Sequence, residues 1–206
     1  MQFIINKNNL NSRKSLKEER EINMNAIEIM NNEHKNITRM LKVVRTVCLK
    51  VLKGEEINYD DFYKILEFIN KYADNHHHKK EEEVLFDKMV KYLGQTAEKV
   101  VTNGMLVEHD LGRLYVRGLR EALESVKNGD EEAKLDVISN AISYTHLLER
   151  HIDKEDRVIY KYGQRELDAS ILELVDKECI EFEANNNDVK ERCLLILEEL
   201  AQKYNV

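Results

Sequence analysis

The stretch that decides the fold is NHHHKKEEEVLF at residues 75–86, which is echoed by RHIDKEDRVIY at residues 150–160. Each copy carries a histidine four positions before a glutamate, and these pairs are His77 with Glu81 and His151 with Glu155. On an α-helix this spacing places both side chains on one face, one turn apart. Imidazole and carboxylate groups that converge from a helix are typical ligands of non-haem iron or zinc. Two such helices facing each other predict a pair of metal ions inside a helical bundle, bridged by carboxylates.

A second pair of motifs completes the pattern. Glu33-His34 lies ahead of the first copy and Glu108-His109 lies ahead of the second. Each Glu-His pair opens a helical run, so the chain is organised as a helix pair used twice. A repeat of both residue type and spacing favours a shared site. The alternative is that the histidines and acids form a solvated helix face, and the apolar periodicity tests this directly.

A helical projection at about 100° per residue places the motif residues on the apolar side of each helix. His151, for example, lies in the middle of a stripe that contains Leu147 and Ile159. Inside a core such polar groups are costly unless they are paired or bind a metal. The only cations expected on these faces are Arg45, Arg113 and Arg120, so a metal is the simpler explanation. The candidate metal ligands are His34, His77, Glu81, His109, His151 and Glu155.

The three remaining histidines project differently. His76 and His78 fall at the margin of the core, about 100° to either side of His77. His146 projects away from His151 and is expected to be exposed. A role in the site is not assigned to any of the three, although His78 paired with Glu82 is an alternative register for the motif.

Composition limits the class of protein. The 206 residues are 42% hydrophobic and 34% charged, with no proline or tryptophan, which is typical of a nearly all-helical domain. The formal net charge of −7 argues against nucleic acid as a partner. The three cysteines form neither a C-x-x-C motif nor an even disulfide framework, so we expect reduced thiols in a cytoplasmic protein. No apolar run approaches membrane length, which predicts a protein without a membrane partner.

Glycines and turn residues divide the chain. Residues 1–23 have little apolar periodicity and are expected to form a flexible tail. Helices are predicted at about residues 25–53, 59–93, 96–127 and 131–162, closed by Gly54, Gly94, the Asn128-Gly129 turn and Gly163. Whether Gly104 lies inside the third helix or breaks it stays open. The short loops favour an all-α, up-down-up-down four-helix bundle over residues 24–164.

A C-terminal extension follows over residues 165–206. Helical patterns at residues 169–183 and 188–204 are separated by Asn185-Asn186-Asn187, which predicts two further helices. Neither pattern carries an inward ligand. Their apolar residues are expected to pack on the bundle or to form a homodimer contact.

The chain resembles the hemerythrin HHE cation-binding family. The resemblance covers about residues 25–163 and rests on four motifs, which are Glu33-His34, His77-His78-x-Lys80-Glu81-Glu82-x-x-Leu85-Phe86, Met105-Leu106-x-Glu108-His109-x-x-Gly112-Arg113 and His151-Ile152-x-Lys154-Glu155-Asp156. The proline usual in the family after Leu-Phe is replaced by Asp87 and Lys161. The resemblance to hemerythrins proper implies a site of five histidines and two carboxylates, whereas four histidines are placed here. The missing ligand is left open among Glu33, Glu108, Tyr144 and a marginal histidine such as His78.

The resemblance implies a hemerythrin-like bundle that holds two non-haem iron ions, with manganese as the alternative metal. Glu81 and Glu155 would bridge the ions together with an oxo or hydroxo group. The implied ligand is O2 or another small diatomic or peroxide molecule, for oxygen sensing, binding or detoxification. With four histidines, both metals would keep a labile position, which favours oxidation by O2 over a stable oxygenated form.

Other functions of the same centre stay open. They are a di-iron oxidoreductase acting on peroxide or NO, iron storage, and repair of iron–sulfur clusters. An oxidoreductase would need an external electron donor, because the chain lacks rubredoxin-like cysteine pairs. Tyr144 and Arg113 are candidates for supporting the ligands, with ordinary packing as the alternative.

Overall fold

The computed structural model describes residues 24–206, so the tail expected at residues 1–23 lies outside the described part. The described chain forms five helices and contains no strand. We number them α1 at Ala26–Leu52, α2 at residues 59–93, α3 at residues 95–127, α4 at residues 134–166 and α5 at Ala169–Tyr204.

The helix ends follow local sequence signals. Asn25 caps α1, because its side chain accepts a hydrogen bond from the Glu28 amide while the Glu28 carboxylate accepts from the Asn25 amide. Gly54 and Gly94 follow α1 and α2 with φ of 89° and 69°. Glycine adopts these left-handed conformations without a side-chain clash, so both helices end where the sequence predicts.

Three helices contain stretches of π-helix, in which the backbone hydrogen bonds run from i to i+5. In α2 they are Ile69–His78 and Glu81–Phe86, in α3 Val101–Met105, and in α4 Glu155–Ile159. Gly104 therefore lies inside α3. Such wide turns are rare but are frequent at functional sites, and here they lie at or next to the motif residues.

Two apolar clusters lie along the bundle, with a polar layer between them. The large cluster includes Val44, Phe62, Leu123, Ala141 and Leu197, and the small cluster includes Met30, Phe86, Met89, Val101 and Tyr160. α1 and α3 run from the small cluster to the large one, whereas α2 and α4 run in the opposite direction. The predicted all-α, up-down-up-down four-helix bundle is confirmed.

Two predicted helix boundaries are wrong. α4 continues past Gly163 to Glu166, and Gly163 is buried against α2 at a point where an added Cβ would lie 3.2 Å from Met89 Sδ. α5 is one helix of 36 residues without a break at Asn185–Asn187. The cost of asparagine in a helix is below about 1 kcal/mol per residue. Burial of Cys179 before and Cys193 after this stretch keeps the helix continuous.

α5 packs against α1 and α2. Its buried side chains are Val175, Cys179, Cys193, Leu197, Leu200 and Ala201. Cys48, Cys179 and Cys193 are all buried and free of disulfides. Among the described residues, no helix has both the length and the apolar character that a membrane span requires.

Candidate metal centre

All six predicted ligands lie in the polar layer, in two groups that share Glu81. One group consists of His78, Glu81, His109 and His151, and the other of His34, His77, Glu81 and Glu155. Within each group the potential ligand atoms lie within 4.8 Å of one another, and every residue is buried. The structure therefore adds His78 and divides five histidines into three on one side and two on the other. We call these the three-histidine half and the two-histidine half.

Both carboxylates lie between the halves. Glu155 Oε1 is 3.1 Å from His151 Nε2, and Glu155 Oε2 is 3.3 Å from His34 Nε2. Glu81 Oε2 is 3.6 Å from the Nε2 atoms of both His77 and His109. Carboxylates in this position are able to bridge two cations.

Four of the histidines are oriented by a carboxylate on the neighbouring helix. The Nδ1 contacts are His34 with Asp156 at 2.6 Å, His77 with Glu33 at 2.9 Å, His109 with Glu82 at 2.7 Å and His151 with Glu108 at 2.8 Å. The supporting acids come from α4, α1, α2 and α3 in turn, so the contacts form a closed ring around the bundle. Such contacts place the proton on Nδ1 and direct the Nε2 lone pair inward, which is the usual arrangement of metal-binding histidines.

The centre contains buried polar atoms that the described protein does not satisfy. They are His77 Nε2, both ring nitrogens of His78, Glu81 Oε2 and both carboxylate oxygens of Glu155. His109 Nε2 and His151 Nε2 also face each other at 3.0 Å. Leaving several such groups buried without partners would cost several kcal/mol. Inward lone pairs and unsatisfied carboxylate oxygens are the donor set that a metal ion requires, so these residues fit the predicted metals.

Without a metal, the pKa values of several residues in the two halves are strongly shifted. Burial opposes protonation of His34, but its bonds to Asp156 and Glu155 raise its pKa to about 10. Burial and the charge on His34 lower the pKa of His77 to about 4. Burial and the nearby Glu155 carboxylate raise the pKa of Glu81 well above its usual value. For both His77 and Glu81, burial and a like charge nearby oppose ionisation, and a bound cation would favour the neutral imidazole and the ionised carboxylate.

The placement of His76 and His78 at the margin of the core is wrong, since both are buried. His76 is covered by Glu183 and Phe182 of α5, and His78 ends the π-helical stretch Ile69–His78. In a π turn consecutive residues are separated by a smaller angle than in an α-helix, so His77 and His78 both face the centre. The run of three histidines was the available signal. The expectation that His146 is exposed is confirmed, and its Nε2 is 3.0 Å from Arg45 Nη1.

A buried lysine was missed among the cations. Lys80 has no exposed surface, and its Nζ donates to Glu33 at 2.5 Å and to Glu183 of α5. His76 Nε2 is 3.0 Å from Glu33 and 2.9 Å from Glu183. Although burial raises the pKa of Glu33, the Lys80 ammonium and the two histidines hold it well below its usual value. This network connects α5 to Glu33, the residue that orients His77.

Arg113 and Tyr144 lie on the side of the three-histidine half. Arg113 donates to Asp74 and to Glu82, the carboxylate that orients His109. Tyr144 is buried and lines a cleft of about 80 Å³ that also contacts His78 and His109. Arg113 therefore supports one ligand through Glu82, and the cleft leads to two imidazoles.

The sequence repeat is also present in three dimensions. Glu33 orients His77 as Glu108 orients His151, and Glu82 orients His109 as Asp156 orients His34. Two differences break the repeat. His78 corresponds to Ile152, which removes one imidazole from the two-histidine half, and Phe86 corresponds to Tyr160.

Comparison with known families gives one match. The family described as hemerythrin HHE cation binding domain matches residues 25–162, a span that contains α1 to α3 and most of α4. Searches of curated proteins and of solved structures give no significant match.

Proposed function

The chain belongs to the hemerythrin HHE cation-binding family, and we propose that it holds two non-haem iron ions and binds or reacts with O2 or a molecule of similar size. His78, His109 and His151 would bind one ion, and His34 and His77 the other. Glu81 and Glu155 would bridge them, together with an oxo or hydroxo group. Ferrous iron held there would supply electrons to a small oxidant.

The observation that carries this proposal is the position of Glu155. Its two oxygens lie 3.1 Å and 3.3 Å from imidazole nitrogens of different halves, and neither has a hydrogen-bond partner among the described residues. Imidazole and carboxylate donors suit iron or manganese, and a centre without thiolates that shares two carboxylates differs from a closed structural zinc site.

The surroundings favour a small ligand. The cleft that reaches His78 and His109 has a volume of about 80 Å³, well below the roughly 300 Å³ of pockets for larger organic ligands. Buried apolar residues pack on both sides of the polar layer. With His78 included, the ligand set is unequal, so the expectation that both metals keep a labile position no longer follows.

The test is anaerobic purification with metal analysis, followed by optical spectra on addition of O2. We expect about two irons per chain and a spectral change that requires iron. His77→Ala or Glu155→Ala should lower the iron content sharply, because each removes an inward ligand. His146→Ala is the control and should leave it unchanged, since His146 is exposed. One metal or none per wild-type chain would contradict the proposal.

The spectra recorded on addition of O2 test the second part of the proposal, the reaction with O2. A protein that binds two irons but shows no spectral change with O2 would instead favour iron storage.

A further inference from the structure

The two halves differ in an aromatic residue as well as in histidine number. Tyr160 and Phe86 occupy equivalent positions in the repeat, and both rings are buried. The Tyr160 ring stacks on His34 at 5.6 Å with an interplanar angle of 4°. The Phe86 ring lies 6.2 Å from His109 at 24°. The two rings therefore pack on corresponding histidines, and the hydroxyl group is present only on the two-histidine half.

The Tyr160 hydroxyl points into the centre. It donates a hydrogen bond to Glu81 Oε1 and lies 3.4 Å from His34 Nε2. The other oxygen of Glu81, Oε2, is the atom equidistant from His77 and His109. Tyr160 thus holds one oxygen of the shared carboxylate on the side of His34, and the other oxygen is left to face both halves.

We propose that Tyr160 is a positioning residue that holds Glu81 on the two-histidine half and so sets how tightly that half binds its metal. The phenol compensates there for the imidazole that Ile152 does not supply. The hydrogen bond from Tyr160 fixes the orientation of the Glu81 carboxyl group before the metal binds, which lowers the ordering cost of binding. The equivalent contact in the repeat would join Phe86 to Glu155, and the Phe86 ring has no polar atom to make it.

This inference rests on the proposed two-metal centre and is tested by the variant Tyr160→Phe. The phenyl ring already fits the equivalent position in the repeat, so the variant should fold. Metal-free protein is titrated anaerobically with Fe²⁺ in the presence of a competing chelator, which gives a separate affinity for each ion. We expect one affinity to stay as in the wild type and the other to fall about tenfold, the effect of losing a hydrogen bond to a charged group.

Tyr72→Phe is the matched control. Tyr72 is equally buried, but its hydroxyl accepts a hydrogen bond from Asn36 instead of reaching a metal ligand. It should bind both ions as the wild type does.

Three results would overturn the inference. Unchanged affinities in Tyr160→Phe would show that the hydroxyl does not position Glu81. Equal weakening of both ions would indicate a general packing effect. A visible charge-transfer band in the oxidised wild type that disappears in Tyr160→Phe would show that the phenolate binds iron directly. A wild type that binds fewer than two ions would instead refute the proposed function itself.

Discussion

Lys80 shows how a single side chain links the metal centre to α5. Its ammonium group is buried between Glu33 and Glu183, and Glu33 in turn orients His77. A buried ion pair stabilises little relative to apolar residues, but removal of one partner leaves an uncompensated charge. Substitution of Lys80 should therefore lower the free energy of unfolding.

We predict that Lys80→Met lowers the free energy of unfolding by about 3 kcal/mol, because buried Glu33 and partly buried Glu183 lose their shared cation. Lys79→Met is the neighbouring control. Lys79 is exposed and lies 3.7 Å from exposed Glu83, so its loss should change stability by less than about 1 kcal/mol. Urea unfolding of the metal-free proteins measures both values. Equal effects of the two substitutions would contradict the prediction.

The i, i+4 spacing was sufficient to propose both carboxylates with His77 and His151, because such residues share a helix face. The repeated Glu-His pairs added His34 and His109. Spacing was insufficient for His78 and Lys80. His78 is turned inward at the end of a π-helical stretch of α2, which a fixed angle of 100° per residue does not describe. Lys80 projects only about 60° from His77 at that angle, and its burial depends on α5, whose Glu183 it contacts.

At the scale of helices, α5 contributes one face to the bundle and exposes the other. Leu197 is fully buried in the large apolar cluster, whereas Leu195 on the same helix is 72% exposed. The sequence predicted helical periodicity here but not a continuous helix. The asparagines suggested a break, and only tertiary packing on both sides of them prevents it.

The two leucines of α5 provide a matched test of this packing. Leu197→Ala should lower the free energy of unfolding by about 2–5 kcal/mol, since it leaves a cavity in the core. Leu195→Ala should change it by less than about 0.5 kcal/mol. Chemical denaturation followed by circular dichroism gives both numbers. If the Leu195 variant were the less stable of the two, α5 would have to pack through its other face.

At the scale of the whole molecule, the bundle holds the polar layer between two apolar clusters. The layer contains His34, His77, His78, His109 and His151 together with both shared glutamates, and several of their polar atoms lack partners in the described protein. A bound metal contributes its binding free energy to the folded state alone.

Removal of metal should therefore lower the melting temperature by about 5–10 °C. The comparison is between loaded protein and protein treated with a chelator, measured by calorimetry. The double variant His77→Ala, His151→Ala should not respond to the chelator, because its ligand set is incomplete. A melting temperature that does not change when metal is removed from the wild type would show that the layer is stable without it.

The layered arrangement also has a consequence for local unfolding of the metal-free protein. Each of the five helices runs from the small cluster to the large one, or the reverse, and passes through the polar layer between them. In the metal-free protein the layer of lowest stability would therefore lie perpendicular to the helix axes. The two ends of the bundle would then unfold as separate cooperative units, each made of one part of every helix. Metal binding would join the two ends into a single cooperative unit.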